Sequence, residues 1–192
     1  MGNMLPLLAL AAIQPGQTAP AISIIPKPNI LQPTAGAFRL DARTHIVVGA
    51  ETEAIGYLLH AQLQPGTGLP LDVSRRGGSN TVSLRIDRGL AKLGPEGYVM
   101  DVRANGVDIR GAGPAGVFYG VQSLRQLLPA RTLRQSAIPG AALDVPCVHI
   151  EDAPRFAWRG AMLDVCRHFE PKVLRVAHDW TRKYDGHLHA RS

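Results

Sequence analysis

"GPEGYVMDVRANGVDIRGAGPAGVFYGVQSLRQLLP", residues 94–129, holds two extended runs and a helix in one piece. The runs GYVMDVRAN and GVDIRGAG meet at Asn105-Gly106, a pair that tolerates positive φ and signals a hairpin between two strands. Val117, Val121, Leu124 and Leu128 then recur at helical spacing, and Pro129 closes the helix. A hairpin followed directly by an amphipathic helix places that helix on one face of a sheet.

Upstream, the same grammar repeats. Val82, Leu84 and Ile86 alternate with Ser83, Arg85 and Asp87, the pattern of a half-buried strand with one wet face. LPLDVSRR reads as a further strand. In ETEAIGYLLHAQLQPGTG, residues 51–68, Ala54, Leu58 and Ala61, with Ile55 and Leu59 beside them, mark a helical face that Pro65-Gly66 ends. Phe38–Leu40 and His45–Val48 read as short β runs, and AISIIPKPN as an edge strand stopped by Pro26 and Pro28. Residues 22–150 therefore predict an α+β domain, a mostly antiparallel sheet with helices on one face. RTLRQSAIPGAALDV reads as an irregular connection, and PCVHIEDAPRFAWRG as a lead-in to the apolar run that begins at Ala161.

Composition narrows the function. The net charge of +6 comes from 21 basic residues, of which only Lys27, Lys92, Lys172 and Lys183 are lysines. The arginines are scattered, with Arg75-Arg76 and Arg131 with Arg134 in polar connections, so no basic face or nucleic-acid module emerges. Aromatics at 5% are too few for a stacking platform. The apolar stretch Met4–Ile13 is too short for a bilayer span of roughly 20 residues. Followed by Ala19 and Ala21, residues 1–21 read as a secretion signal or a disordered terminus, which leans the localisation toward secreted or periplasmic. Cys147 and Cys166 make no disulfide framework, and the duller reading is two buried thiols. No cofactor or metal motif is visible; His187 and His189, with His178, read as exposed rather than as ligands.

GAMLDVCRHFEP, residues 160–171, reads as a buried strand that delivers Asp164, Arg167 and His168 to its carboxyl end. A helix over EPKVLRVAHDWTRKYDG comes next, with Val173, Val176, Ala177 and Trp180 on one stripe, so residues 151–192 read as the first βα unit of a larger domain. Trp158 and Trp180 read as packing residues.

The run EDAPRFAWRGAMLDVCRHFEPKVL resembles the start of the catalytic barrel of family 20 glycoside hydrolases, the β-N-acetylhexosaminidases. Residues 94–129 and the IIPKPN near the start resemble that family's N-terminal α/β domain. The resemblance covers roughly residues 22–180, in the family's order and spacing. It implies a (β/α)8 barrel whose active site sits at the carboxyl ends of its strands. It also implies that Arg167 binds hydroxyls of the non-reducing sugar, against an ordinary ion pair with Asp164 as the alternative; a planar guanidinium suits adjacent oxygens. Asp164 and His168 are then supporting residues, and Cys166 stands where the family commonly has serine.

The family's reaction is substrate-assisted: the 2-acetamido oxygen attacks the anomeric carbon, a glutamate protonates the leaving oxygen, and the preceding aspartate orients the acetamido group. That pair belongs to a His-x-Gly-Gly-Asp-Glu motif, which these 192 residues lack; Glu151-Asp152 is their only adjacent acidic pair. The resemblance thus implies the amino-terminal portion of a β-N-acetylhexosaminidase, acting on N-acetylglucosamine- or N-acetylgalactosamine-terminated glycans or chitin oligosaccharides, inactive as this chain alone. Two other readings stand beside it: a non-catalytic carbohydrate-binding or scaffolding module on residues 22–150, and a barrel completed by a separate chain.

Overall fold

The computed structural model of the chain describes residues 22–160, apart from 141 and 157. Asp164, Arg167 and His168, the βα unit that carries them, the apolar amino terminus, Cys166, Trp180 and the three carboxyl-terminal histidines all lie outside the described residues. One compact unit runs as far as Arg155. Phe156 opens a second unit, in which Arg159 Nη1 donates to the Phe156 carbonyl at 2.6 Å. Trp158, expected as a packing residue, is exposed.

The first unit is α+β. Its strands are β1 (Ile30–Arg39), β2 (His45–Val48), β3 (Val73–Ser74), β4 (Thr81–Ile86), β5 (Tyr98–Arg103), β6 (Gly106–Gly111) and β7 (Asp144–Asp152), and its helices are α1 (Glu53–Thr67) and α2 (Pro114–Leu127). The strands form one sheet in the order β1-β7-β5-β6-β4-β2-β3. Half of it is parallel: β2 with β3, β2 with β4, and β4 with β6. The antiparallel half is β1 with β7, β7 with β5, and β5 with β6. The expectation of a mostly antiparallel sheet is corrected here. It took strands that follow one another in sequence as antiparallel neighbours, whereas α1 carries the chain from β2 to β3, both β3 and β4 pair parallel with β2, and β5 lies beyond β6 from β4.

Both helices cover one face, as the alternation predicts. Ile46, Val82, Leu84, Met100, Val102, Val107 and Ile109 are buried in a single core with Leu59, Leu63, Val117, Val121 and Leu124. In α2 the predicted stripe Val117, Val121, Leu124, Leu128 is the buried one. In α1 the face is rotated: Ile55, Gly56, Leu59 and Leu63 are buried, while Ala54 and Ala61 are exposed. A small alanine gives little to bury, so Leu59 and Leu63 decide the orientation. The helix also continues through Pro65 and stops at Gly68, whose left-handed φ of 68° lets its N–H reach the Gln64 carbonyl.

Two further expectations change. Residues 22–29 form no strand: Ile24 is buried, and the Gln126 side chain grips Ile25, accepting its N–H at 2.9 Å and donating to its carbonyl at 3.1 Å. Residues 144–152, expected as connection and lead-in, are instead the internal strand β7, which carries the sheet to Asp152, two residues past the boundary read at 150. Pro146 hid it. Pro146 lies beyond the paired stretch with β5, which ends at Val148, and opposite the irregular Pro33–Ala37 segment of β1, where a missing N–H does little harm.

Candidate functional site: the polar face of the sheet

The sheet face away from the helices is built by the same alternation read in reverse. While Val82, Leu84, Val107, Ile109, Met100 and Val102 point into the core, Ser83, Arg85, Asp108, Arg110, Asp101 and Arg103 point out. Strand register sets them in rows. Ser83 lies opposite Asp108, Asp108 opposite Asp101, and Asp101 opposite His149.

Two carboxylates facing each other across a strand pair repel. Arginines and a hydrogen-bonding histidine compensate. Arg85 grips Asp108 with both arms, Nε to Oδ1 at 2.8 Å and Nη2 to Oδ2 at 2.7 Å. Arg110 Nη2 donates to Asp101 Oδ2 at 2.8 Å, while its Nε lies 3.2 Å from Asp108 Oδ2, so one guanidinium bridges both acids. His149 Nδ1 is 2.8 Å from Asp101 Oδ1; facing a carboxylate, that nitrogen must carry the proton and donate. Arg103 reaches Asp101 only at 3.8 Å. Burial alone would raise the Asp101 carboxyl, but His149 and then Arg110 and Arg103 outweigh it and hold it below the ordinary carboxylate range. The bidentate contact with Asp108 raises Arg85 further.

Beside this network lies a shallow polar depression of about 160 Å³. Gly106, Thr81, Ser83, Ser79, Asn105, Arg103, Asp101 and Asp108 are among the residues that line it. The hairpin that supplies Asn105 forms where predicted, but its tip is Ala104–Asn105 with Gly106 already in β6, and neither Asn105 nor Gly106 has positive φ. The asparagine in the left-handed region is Asn80, φ 57°, which accepts from the Thr44 hydroxyl and donates to Asp41 before β4. Sequence reading singled out none of the rim residues as a site. Ser83, Arg85 and Asp87 were legible as a wet face, but strand order decides which wet residues meet.

Of the acidic pair Glu151-Asp152, Asp152 makes a structural contact. Asp152 Oδ1 accepts the Asn29 N–H at 3.1 Å, and Asn29 Nδ2 donates to the Ala153 carbonyl at 3.2 Å, so Asp152 ties the end of β7 to the segment before β1. No group of three or more His, Cys, Asp or Glu suited to a metal ion occurs among the described residues. Cys147 is buried, and burial pushes its thiol up. No described helix is long and apolar enough to cross a membrane.

Comparison with known proteins adds the family. The sequence profile "Glycosyl hydrolase family 20, domain 2" matches residues 21–153. A β-hexosaminidase of Porphyromonas gingivalis is 38% identical over 151 residues, 77% of this chain and 19% of that protein. A β-N-acetylhexosaminidase of Cellulomonas fimi is 36% identical over 155 residues, covering 78% of this chain and 30% of that protein. Among solved structures, the family 20 β-N-acetylhexosaminidase of Streptomyces coelicolor A3(2) superposes with a TM-score of 0.69 at 41% identity, over 82% of this chain and 32% of that one. The chain thus spans between a fifth and a third of the length of these relatives.

Proposed function

Because the chain belongs to glycosyl hydrolase family 20 through its domain 2, we propose that residues 22–153 are the amino-terminal α/β domain of a β-N-acetylhexosaminidase. The observation that carries this reading is the family match across the whole folded unit, with relatives that share both its sequence and its sheet. The substrate is a glycan or chitin oligosaccharide ending in N-acetylglucosamine or N-acetylgalactosamine. Hydrolysis is substrate-assisted: the acetamido oxygen attacks the anomeric carbon while an Asp-Glu pair orients the acetamido group and protonates the leaving oxygen.

Residues 22–153 do not supply that pair. Their one adjacent acidic pair ends in Asp152, which is engaged with Asn29. In this reading, residues from Pro154 onward open the catalytic barrel, Arg167 binds sugar hydroxyls, and Asp164 and His168 hold the strand end around it. The family's spacing of Leu-Asp-x-x-Arg-His at 163–168 supports these roles. The apolar run at residues 4–13 supports export, and amino-terminal sequencing of secreted product tests it.

The test of the domain is a chimaera in which residues 22–153 replace the matching domain of the Streptomyces coelicolor enzyme. A folded chimaera that releases N-acetylglucosamine from a chromogenic glycoside at a rate within about tenfold of the parent supports the reading. A folded chimaera without turnover overturns it.

A further inference from the structure

We propose that the depression lined by Gly106 and Asn105 on the polar sheet face binds a neutral saccharide, one sugar unit of a glycan chain at a time. Four side chains around it, Ser79, Thr81, Ser83 and Asn105, make no hydrogen bond within the described residues, although Arg85, Arg110, Asp101, Asp108 and His149 beside them are paired. Each can donate and accept. Convergent hydroxyl and amide groups of that kind match the alternating donors and acceptors of sugar hydroxyls.

Charge selects the ligand further. Asp101 and Asp108 would attract a cation, but Arg85, Arg110, Arg103 and His149 already surround them. An anion would meet the two carboxylates. A neutral polyol meets neither obstacle: it donates to the carboxylate oxygens and accepts from Arg103, whose side chain is 68% exposed and approaches Asp101 only to 3.8 Å. The volume of about 160 Å³ suits a single sugar ring rather than a longer segment.

The cradle is also stiff and open. Thr81, Gly106 and Arg103 lie side by side on the adjacent strands β4, β6 and β5. A Cβ at 106 would stand 2.9 Å from the Thr81 carbonyl oxygen, so glycine is what lets β4 and β6 lie this close. With no aromatic ring among its lining, the site gives weak binding, with a Kd of about 1 mM. The choice of an N-acetylglucosamine oligomer as first ligand rests on the glycosidase reading; the site geometry does not.

The test is a titration of the uniformly 15N-labelled 192-residue chain with chitotriose, then with cellotriose and with inorganic phosphate, monitored by amide shifts. Saturable shifts at Thr81, Ser83, Gly106 and Asp108 are expected with a saccharide, weakened at least fivefold in Asn105→Ala and Arg103→Ala proteins that keep the parent spectrum elsewhere. Equal binding of chitotriose and cellotriose still supports a neutral saccharide site. No saturable shift with either sugar, shifts of equal affinity in both variants, or preference for phosphate overturns the proposal. An active chimaera without this binding removes the site alone, and binding without chimaera activity removes the enzyme reading alone.

Discussion

Tyr98 Oη and Ser123 Oγ lie 2.5 Å apart, a buried hydroxyl pair that pins β5 to α2 across the core. Burial pushes the Tyr98 hydroxyl up to about 12, against the smaller opposing pull of Ser123.

Breaking one half of this pair costs more than removing both. Ser123→Ala leaves the Tyr98 hydroxyl buried without a partner and lowers unfolding free energy by about 1–3 kcal/mol. Adding Tyr98→Phe restores much of the loss, because the orphaned group is gone. Urea unfolding of the four proteins of the cycle measures it.

Alkaline pH weakens the fold through the same tyrosine. Its folded value is raised, so its contribution is complete below the unfolded value near 10 and is lost as pH rises toward 12. The loss amounts to roughly 2–3 kcal/mol. Tyr98→Phe should flatten the urea midpoint between pH 10 and 12; an unchanged slope contradicts the assignment.

Acid acts with the opposite sign at Asp101. The folded carboxyl titrates below its ordinary value, so its stabilisation is present above about pH 4 and disappears as pH falls through the depressed folded value. Asp101→Asn should make the urea midpoint less steep below pH 4, compared with the parent chain.

Close packing under α2 predicts a steric penalty that outweighs helix propensity. A Cβ at Gly116 would stand 2.1 Å from the Gly97 carbonyl oxygen. Gly116→Ala should therefore destabilise by about 1–3 kcal/mol, although alanine in a free helix gains about 1. Gly77→Ala, with nothing within 4 Å, is the control and should leave the melting temperature unchanged.

The hold of Gln126 on Ile25 should show in hydrogen exchange. Gln126→Ala removes both hydrogen bonds to that backbone, and the peptide covering residues 22–29 should exchange several-fold faster while β4 to β6 keep their protection.

Much of the fold was legible because its strands alternate cleanly. β4, β5, β6 and α2 announce themselves through Val82/Leu84, Met100/Val102, Val107/Ile109 and Val117/Val121. β7 was not legible, since Pro146, His149 and Glu151 interrupt its apolar run, and only its neighbours show why each is tolerated. The site was less legible still. Asp101, Asp108 and Arg110 are ordinary outward residues of their strands; they become a network because β6 lies between β4 and β5, a fact of pairing that no local pattern records.

The placement of β7 also sets a timetable. Asn29 and its partner Asp152 stand 123 residues apart, and among the described residues β1 pairs with no strand but β7. On a ribosome adding 5–20 residues per second, β1 emerges on the order of ten seconds before the strand that receives it. Through that interval β2 to β6 and α2 can assemble with the flank of β5 open, and the first strand made is the last one seated. A synonymous change that slows translation between β6 and β7 would lengthen the life of that open flank, and with it the chance of pairing with a neighbouring nascent chain.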